Sequence, residues 1–270
     1  MTSSAQTGPT QRQVHLNTPF NDQKPGTSGL RKSSKQFEQT NYLESFIEAI
    51  FQTLPGVEGG TLILGGDGRY GNHRAIDVIL RMGAAHGLSR VITTTNGILS
   101  TPAASHLIRA NKAIGGIILS ASHNQGGPDG DFGVKVNGAN GGPAAESLTN
   151  AIYACSQALE RYSLVDADVI PLETPGRHAI GAMAVDVIDG VEDYVELMQK
   201  LFDFERIKDL IKTDFPVVFD AMHAVTGPYA QRLLEGLLGA PTGTVRNGIP
   251  LEDFGGGHPD PNLTYAAELA

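Results

Sequence analysis

The fold of this chain is decided by residues 115–137, GGIILSASHNQGGPDGDFGVKVN, where an apolar run breaks into a polar, glycine-rich loop and then resumes. The run from Ile117 to Leu119 is typical of a buried strand, and the Gly, Pro and Asp residues after it make the chain turn. Open α/β sheets bind ligands at the carboxyl ends of their strands, so the pattern predicts Ser122 and His123 at a ligand-binding edge. Strand alternation after the loop turns Lys135 away from the core.

Alternating strand and helix patterns flank this stretch. Short apolar strands at residues 61–64 and 91–94 are followed by helical patterns at about 74–86 and 101–112, and a longer amphipathic helix is predicted from 144 to 162. The resulting order is strand, helix, strand, helix, strand, strand, helix. That order predicts an α/β domain whose strands pair mostly in parallel.

Three segments are predicted along the chain. Residues 1–21 are polar and lack periodicity, which indicates a disordered extension, and residues 22–190 carry the α/β domain. Residues 191–270 begin a second α/β unit with a buried strand at 216–220 and a helix at 229–238, and then enter a loop rich in Gly, Pro and Asp. We therefore expect one complete domain followed by an incomplete second one.

Composition limits the class of function. The 270 residues are 40% hydrophobic and 18% charged, and the formal net charge is −9 at pH 7. This charge argues against a nucleic-acid or membrane-surface partner, although an acidic protein can bind a phosphorylated metabolite where its site is locally basic. The sequence has no apolar run near membrane-spanning length and no secretory signal pattern, so we expect a cytoplasmic protein.

Ser122 is the candidate nucleophile, because an activated serine hydroxyl can carry a phosphoryl group. A Ser-His-Asp hydrolase is not favoured, since adjacent residues rarely bring hydroxyl and imidazole into contact and no Gly-x-Ser-x-Gly elbow is present. Taken alone, Ser122 fits a turn serine equally well, and a lone histidine such as His123 is more often structural. Lys135 suits acid/base chemistry or phosphate contact, but it also fits an ordinary exposed strand lysine.

Two glycine-containing segments are candidates for anion contact. The loop Lys24–Lys32, KPGTSGLRK, is either a solvated basic turn or an anion-binding loop, in which the planar guanidinium of Arg31 suits phosphate. The glycines between residues 126 and 133 predict backbone amides that approach an anion.

Two sets of charged residues are interpreted without a catalytic role. Asp67 and Arg69, in the turn GGDGR, are interpreted as a structural ion pair or turn cap. Several carboxylates and a histidine near the carboxyl end match no metal-binding template. These residues are Asp220, Asp253, His258 and Asp260.

Together these motifs make the chain resemble the amino-terminal half of the phosphoglucomutases, of the α-D-phosphohexomutase superfamily. The matching segments follow the family's order from about residue 24 to the last residue. They are KPGTSGLRK (24–32), GGDGR (65–69), NGILSTP (96–102), GGIIL (115–119), SHN (122–124), GGPDGDFGVK (126–135), NGGP (140–143), DAMH (220–223), VTGPY (225–229) and PLEDFGGGHPDPNLTY (250–265).

The resemblance implies a three-layer α/β/α first domain with a mixed, mostly parallel sheet. It also implies that Ser122 is a phosphoserine that passes its phosphoryl group to a hexose phosphate. Glucose 1-phosphate and glucose 6-phosphate are then interconverted through glucose 1,6-bisphosphate, which serves as intermediate and activator. Lys135 would be the acid/base partner, and His123 would support substrate hydroxyls. The substrate would be held by Arg31, Thr27, Ser28 and Ser122.

Mg²⁺ is the cofactor that the resemblance implies, bound to the phosphate on Ser122, where it would withdraw charge. The family's Asp-Gly-Asp-Gly-Asp-Arg metal loop has no counterpart in these 270 residues. The family's third and fourth domains, which recognise the sugar and grip the phosphate, have none either. We therefore expect this chain to be a fragment that is inactive alone.

Two alternatives follow from these departures. The retained Ser122, Lys135 and Arg31 favour a phosphoglucomutase, whereas Gln125, which replaces the family's usual proline, favours a truncated non-catalytic homologue that acts as a binding or interaction protein. An incomplete second domain would also leave apolar surface uncovered, and we expect the chain to self-associate through it.

Overall fold

The computed structural model describes residues 10–26, 28–213 and 215–269. Thr27, a predicted substrate contact, lies outside the described residues. The strands are β1 (Gln11–His15), β2 (Leu30–Ser33), β3 (Thr61–Gly66), β4 (Arg90–Thr94), β5 (Gly115–Leu119), β6 (Asp131–Gly138), β7 (Arg161–Val165), β8 (Gly176–Ile180), β9 (Met183–Ile188), β10 (Phe219–Asp220) and β11 (Val245–Arg246). The helices are α1 (Ser34–Phe37), α2 (Tyr42–Thr53), α3 (Asn72–Ala85), α4 (Thr101–Ala110), α5 (Glu146–Gln157), α6 (Glu192–Leu201), α7 (Phe204–Ile211) and α8 (Gly227–Ala230), the last continued by a π-helical segment, Gln231–Leu237.

A seven-stranded mixed sheet, in the order β2-β6-β5-β3-β4-β9-β8, organises the described part of the chain. The four inner strands β5, β3, β4 and β9 are mutually parallel, while β6, β2 and β8 run antiparallel to their neighbours. The sheet is therefore parallel where both of its faces are covered and antiparallel toward its edges, as mixed sheets commonly are.

Helices cover both faces of this sheet. The larger core packs β3, β5 and β6 against α2, α3 and α5, through residues such as Phe46, Ile79 and Ile152. The smaller core, on the opposite face, packs Ile63 and Ile118 against α4. These two cores confirm the predicted three-layer α/β/α fold, and the predicted order of elements from β3 to α5 is also found.

The amino-terminal segment is more ordered than the sequence predicts. Residues 11–15, inside the predicted disordered extension 1–21, form β1 and pair antiparallel with β7. Val14 packs against the larger core, and Arg12 forms an ion pair with Asp166 across the ribbon. The prediction was wrong here because the stabilising partner of this polar strand lies about 150 residues away, where local periodicity carries no information about it.

The same pairing shortens a predicted helix. The amphipathic pattern predicts a helix over residues 144–162, whereas α5 ends at Gln157 and the chain then enters β7. Tyr162, placed by the pattern on the helix, is a buried strand residue that pairs with Val14. Tertiary pairing therefore overrides the helical periodicity.

The second unit, from α6 onwards, contains little sheet. The predicted strand at 216–220 is reduced to the two half-buried residues of β10, which pair in parallel with the two residues of β11. Helix α7 has no buried residue. Exposed apolar side chains collect on this unit, namely Leu201, Phe202, Leu210, Phe215 and Val218.

Candidate functional site

Residues 120–131, called the serine loop below, connect β5 to β6 at the edge that the sequence predicts. Ser122 is exposed and has φ of +59°, in the left-handed region that a non-glycine residue adopts at a cost of about 1–3 kcal/mol. The backbone N–H of Ser122 donates to Oγ of Ser120 at 2.9 Å. Such a conformation persists only where the surroundings enforce it, and here it presents the Ser122 hydroxyl to solvent.

A buried ion pair enforces the loop conformation. Arg69, which has 0% exposure, donates from Nε to both carboxylate oxygens of Asp67 at 3.0 Å. Its Nη2 donates to the carbonyl of Ser122 at 2.9 Å, and its Nη1 donates to the carbonyl of Asp131 at 2.8 Å. The hydroxyl of Ser120 donates to Asp67 at 2.7 Å. The predicted structural ion pair is confirmed, and it also fixes both ends of the serine loop.

The loop closes on itself as well. The N–H of Asp131 donates to the carbonyl of Gln125 at 2.9 Å, and Nδ2 of Asn124 donates to the carboxylate of Asp131 at 2.8 Å. The loop therefore has internal cross-links at the position where Gln125 replaces proline.

The side chain of His123 lies closer to the hydroxyl of Ser122 than the sequence predicts. Oγ of Ser122 and Nδ1 of His123 are 3.4 Å apart, because the left-handed backbone of Ser122 brings the two adjacent side chains to the same side. The expectation that neighbouring residues stay out of contact was wrong in this case. Among the described residues, however, His123 has no carboxylate partner, so a Ser-His-Asp triad is not formed.

The register of the sheet brings the basic loop beside Lys135. Strand β2 pairs with β6 so that Leu30 faces Val134 and Arg31 faces Gly133. Gly29, with φ of +87°, approaches so closely that a Cβ there would lie 2.7 Å from the Cα of Lys135. This contact explains why a glycine is needed at the entry to β2. The structure thus places Arg31 and Lys135 on neighbouring strands.

Arg31 has a hydrogen-bond donor without a partner in the described part of the chain. Its Nε is buried and has no hydrogen-bond partner among the described residues. Ser28, on the same loop, is exposed. A buried guanidinium N–H without an acceptor is costly, so an anionic ligand would relieve that cost.

Lys135 is half-buried, and its pKa is lowered from the ordinary lysine value, first by burial and then by the charge of Arg31. A lysine with a lowered pKa has a larger neutral fraction near neutral pH, as a proton acceptor needs. The geometry therefore gives Lys135 an environment suited to acid/base chemistry.

The lowered pKa of Lys135 predicts a pH-dependent stability. Between the folded-state pKa and the unfolded value of about 10.4, the unfolded chain binds more protons, so stability rises with pH in that interval. We expect Lys135→Met to be more stable than the wild type at neutral pH, with the difference narrowing as the pH approaches 10. Urea unfolding at several pH values measures this difference.

Lys35 provides the matched control for that experiment. Its pKa is raised by its hydrogen bond to exposed Asp129, so its charged form is favoured on folding, and Lys35→Met is not expected to gain stability at neutral pH. A Lys135→Met variant less stable than the wild type throughout would show that the lysine is not desolvated at this site.

The glycines of the serine loop have a different role from the one predicted. The N–H of Gly127 donates to the carbonyl of Glu252 at 3.1 Å, and that of Gly130 donates to the carbonyl of Gly127 at 3.1 Å. A Cβ on Gly126 would lie 2.7 Å from the Glu252 carbonyl oxygen and 2.8 Å from the ring of Phe254. Gly126 therefore allows close packing against residues 251–256, called the supporting loop below, and the amides of Gly127 and Gly130 are not free for an anion.

The described residues contain no group of three or more His, Cys, Asp or Glu side chains that could hold a metal ion. The side chains of that part of the chain therefore do not form a complete Mg²⁺ site by themselves. In the same residues, no helix combines the length and apolarity needed to cross a membrane.

Comparison with known proteins places the chain in a family. The family model for phosphoglucomutase/phosphomannomutase, alpha/beta/alpha domain I, matches residues 22–163. The chain belongs to this family. It is 57% identical to the phosphoglucomutase of Rhizobium radiobacter over 252 residues, which cover 93% of this chain and 46% of that relative. It is 52% identical to the phosphoglucomutase of Emericella nidulans over 254 residues, with the same two coverages.

A solved structure supports the same assignment. The open form of the Paramecium exocytosis-sensitive phosphoprotein pp63/parafusin, described as a phosphoglucomutase, matches with a TM-score of 0.94 and 44% identity. The match covers 98% of this chain and 50% of that one. The chain thus spans about half the length of the curated phosphoglucomutases it matches.

Two residues of the candidate site make contacts that the sequence does not predict. Ser120 links Asp67 to the backbone of Ser122, and Phe254 packs against the guanidinium of Arg69. The contacts of Ser120 with Asp67 and of Phe254 with Arg69 have no local signal, since the partners are far apart in the chain. Only the strained left-handed φ of Phe254, +55°, marks that residue out, and it is visible in the structure alone.

Proposed function

We propose that this chain is the amino-terminal half of a cytoplasmic phosphoglucomutase that interconverts glucose 1-phosphate and glucose 6-phosphate. One observation carries the proposal. The exposed hydroxyl of Ser122 stands on a loop fixed by the buried Asp67–Arg69 pair, beside a strand pair that carries Arg31 and Lys135. The names of relatives at about half identity support the same reaction.

In the proposed reaction Ser122 begins as a phosphoserine. A hydroxyl of the hexose monophosphate attacks the phosphorus, a new O–P bond forms, and the bond from Oγ of Ser122 to phosphorus breaks. The products are glucose 1,6-bisphosphate and a serine oxygen that takes up a proton. The reverse transfer, from the other phosphate of the bisphosphate to Ser122, completes the interconversion.

The neighbouring residues have proposed roles in both transfers. Lys135, in its neutral form, accepts the proton of the attacking hydroxyl, which its lowered pKa favours. Arg31, which is partly exposed, is proposed to donate to substrate phosphate through its guanidinium, and Ser28 and Thr27 are proposed to contact the same group. His123 is proposed to support the sugar hydroxyls.

Mg²⁺ is proposed as the cofactor, bound through the phosphate on Ser122. Its remaining ligands would come from outside the described residues, because these lack a complete metal-binding cluster. The cation would withdraw charge from the transferring phosphoryl group. We accordingly expect this chain, tested alone, to be inactive or nearly so.

The test joins this chain to the carboxy-terminal half of the Rhizobium radiobacter phosphoglucomutase. With glucose 1,6-bisphosphate and Mg²⁺ present, the joined protein is expected to convert glucose 1-phosphate to glucose 6-phosphate, and radiolabelled phosphate is expected on Ser122. The intact Rhizobium radiobacter enzyme is the positive control. A joined protein that folds but carries no label and shows no conversion would overturn the proposal.

We also propose that the isolated chain self-associates through the second unit. The apolar side chains exposed there include Phe202, at 56%, and Leu210, at 48%, and exposed apolar surface favours association. Charges of both signs lie on the same helix as Leu210, as in the Lys208–Glu205 pair of α7. A second copy of this chain is the proposed occupant.

Sedimentation velocity tests this association. The sedimentation coefficient of the wild-type chain is expected to rise above the monomer value as the concentration increases. A Phe202→Glu, Leu210→Glu double variant is expected to remain monomeric. Val169→Glu is the control, because Val169 is 67% exposed but lies outside the second unit. A wild-type chain that stays monomeric at every concentration would contradict the proposal.

A further inference from the structure

The supporting loop, residues 251–256, contacts two parts of the first domain at once. The carbonyl of Glu252 accepts from the N–H of Gly127 in the serine loop, at 3.1 Å, and from the N–H of Tyr70, at 2.9 Å. Tyr70 directly follows Arg69. A single peptide group of the second unit therefore connects the serine loop to the turn that carries its buried ion pair.

Phe254 completes this contact. Its ring centroid lies 5.1 Å from Cζ of Arg69, and the side chain is only 3% exposed. The edges of the guanidinium already donate to Asp67 and to the carbonyls of Ser122 and Asp131. The aromatic ring lies over the guanidinium, where a cation–π interaction is strongest in the absence of water.

The backbone of Phe254 is held in an uncommon conformation. Its φ is +55°, which bulky residues rarely adopt, and Gly255 and Gly256 follow at +68° and +74°. The N–H of Phe254 donates to the carbonyl of Leu251 at 3.1 Å, and Asp253 accepts from the N–H of Gly255 at 3.0 Å. Strain of this kind persists where surrounding contacts enforce it, and it occurs preferentially at functional sites.

We propose that Phe254 is a positioning residue for phosphoryl transfer at Ser122. It touches neither substrate nor the reacting hydroxyl, and it acts through Arg69, which it keeps aligned on the carbonyls of Ser122 and Asp131. Through this residue the second unit sets the geometry of a nucleophile that belongs to the first. The proposal has two parts. The effect of Phe254 on the serine loop is independent of the function proposed above, and its effect on phosphoryl transfer rests on that function.

Hydrogen exchange on the full 270-residue chain tests the structural step. Phe254→Leu keeps an apolar side chain but removes the ring, and it is expected to speed exchange in peptides covering residues 120–131 about tenfold. Phe254→Tyr keeps the ring and is expected to restore protection. Phe51→Leu is the matched control, because Phe51 is also 3% exposed and its ring packs on His86, away from the loop.

The outcomes separate positioning from general packing. Equal loop exchange in Phe254→Leu and Phe51→Leu, at equal loss of thermal stability, would overturn the proposal. Faster loop exchange in Phe254→Leu alone, reversed in Phe254→Tyr, would support it. Thermal unfolding of each variant shows that the comparison is made between folded proteins.

The chemical step is tested in the joined protein. Phe254→Leu is expected to lower kcat about tenfold with little change in KM, since the hydroxyl is misplaced while substrate contacts remain, and Phe254→Tyr is expected to restore kcat. An active joined protein whose kcat is unchanged by Phe254→Leu would overturn the proposal. An inactive joined protein in which loop exchange still responds to Phe254→Leu would instead count against the proposed function.

Discussion

Replacing Ser122 with alanine is expected to lower the interconversion of glucose phosphates by the joined protein by at least about 10⁴-fold, or ~5 kcal/mol of transition-state stabilisation. The hydroxyl is the proposed acceptor and donor of the phosphoryl group, and no other side chain of the serine loop offers one at an exposed left-handed position. The assay measures glucose 6-phosphate formed from glucose 1-phosphate, with glucose 1,6-bisphosphate present.

The neighbouring hydroxyl of Ser120 provides the internal control. Ser120→Thr keeps the hydrogen bonds to Asp67 and to the N–H of Ser122, and it is expected to keep most of the activity. Ser120→Ala removes both bonds and is expected to lower the rate of interconversion about 10–100-fold, because the loop is misplaced while the hydroxyl of Ser122 remains. Near-normal turnover in Ser122→Ala, or label on a residue other than Ser122, would refute the assignment of the phosphoryl carrier.

Removing the guanidinium of Arg69 is expected to destabilise the fold by about 3–5 kcal/mol, because Arg69→Met leaves the carboxylate of Asp67 buried without its partner. Asp67 is only 6% exposed, and the carbonyls of Ser122 and Asp131 lose their donors at the same time. The free energy of unfolding is measured by urea titration at constant pH. The effect is large because the pair is buried.

A double-mutant cycle tests whether the loss of stability comes from the unpaired charge. Asp67→Leu combined with Arg69→Met removes both charges, and it is expected to be less destabilising than the sum of the two single changes. Arg12→Met is the surface control, since the Arg12–Asp166 pair is 54% exposed on both sides and exposed pairs contribute less than about 1 kcal/mol. Similar losses in Arg69→Met and Arg12→Met would mean that burial does not set the strength of the Asp67–Arg69 pair.

The sequence predicts the parts of this fold that depend on local periodicity. Apolar runs and helical spacing correctly order the elements from β3 to α5, and the break after Leu119 correctly locates the loop that carries Ser122. These predictions succeed because burial on a sheet or helix face imposes its period on the adjacent residues.

The remaining features depend on partners that are distant in the chain. Strand β1 exists because β7 pairs with it, and the glycine at 126 is required by the approach of Glu252. The contact between Ser122 and His123 depends on a left-handed backbone that no spacing rule predicts. The proposed site chemistry therefore rests on residue types and family motifs, whereas the contacts that support the site are visible only in the fold.

The contact between the supporting loop and Arg69 also constrains the order in which the site can mature during synthesis. A ribosome completes the seven strands of the sheet, which end at Ile188, well before it reaches Phe254. Contacts that join such distant segments form late, because closing the long intervening loop must precede them. A nascent chain would thus hold a nearly finished sheet whose serine loop still lacks its contacts with the supporting loop. Under the proposed function, Ser122 would become competent for phosphoryl transfer only after the second unit has emerged and docked.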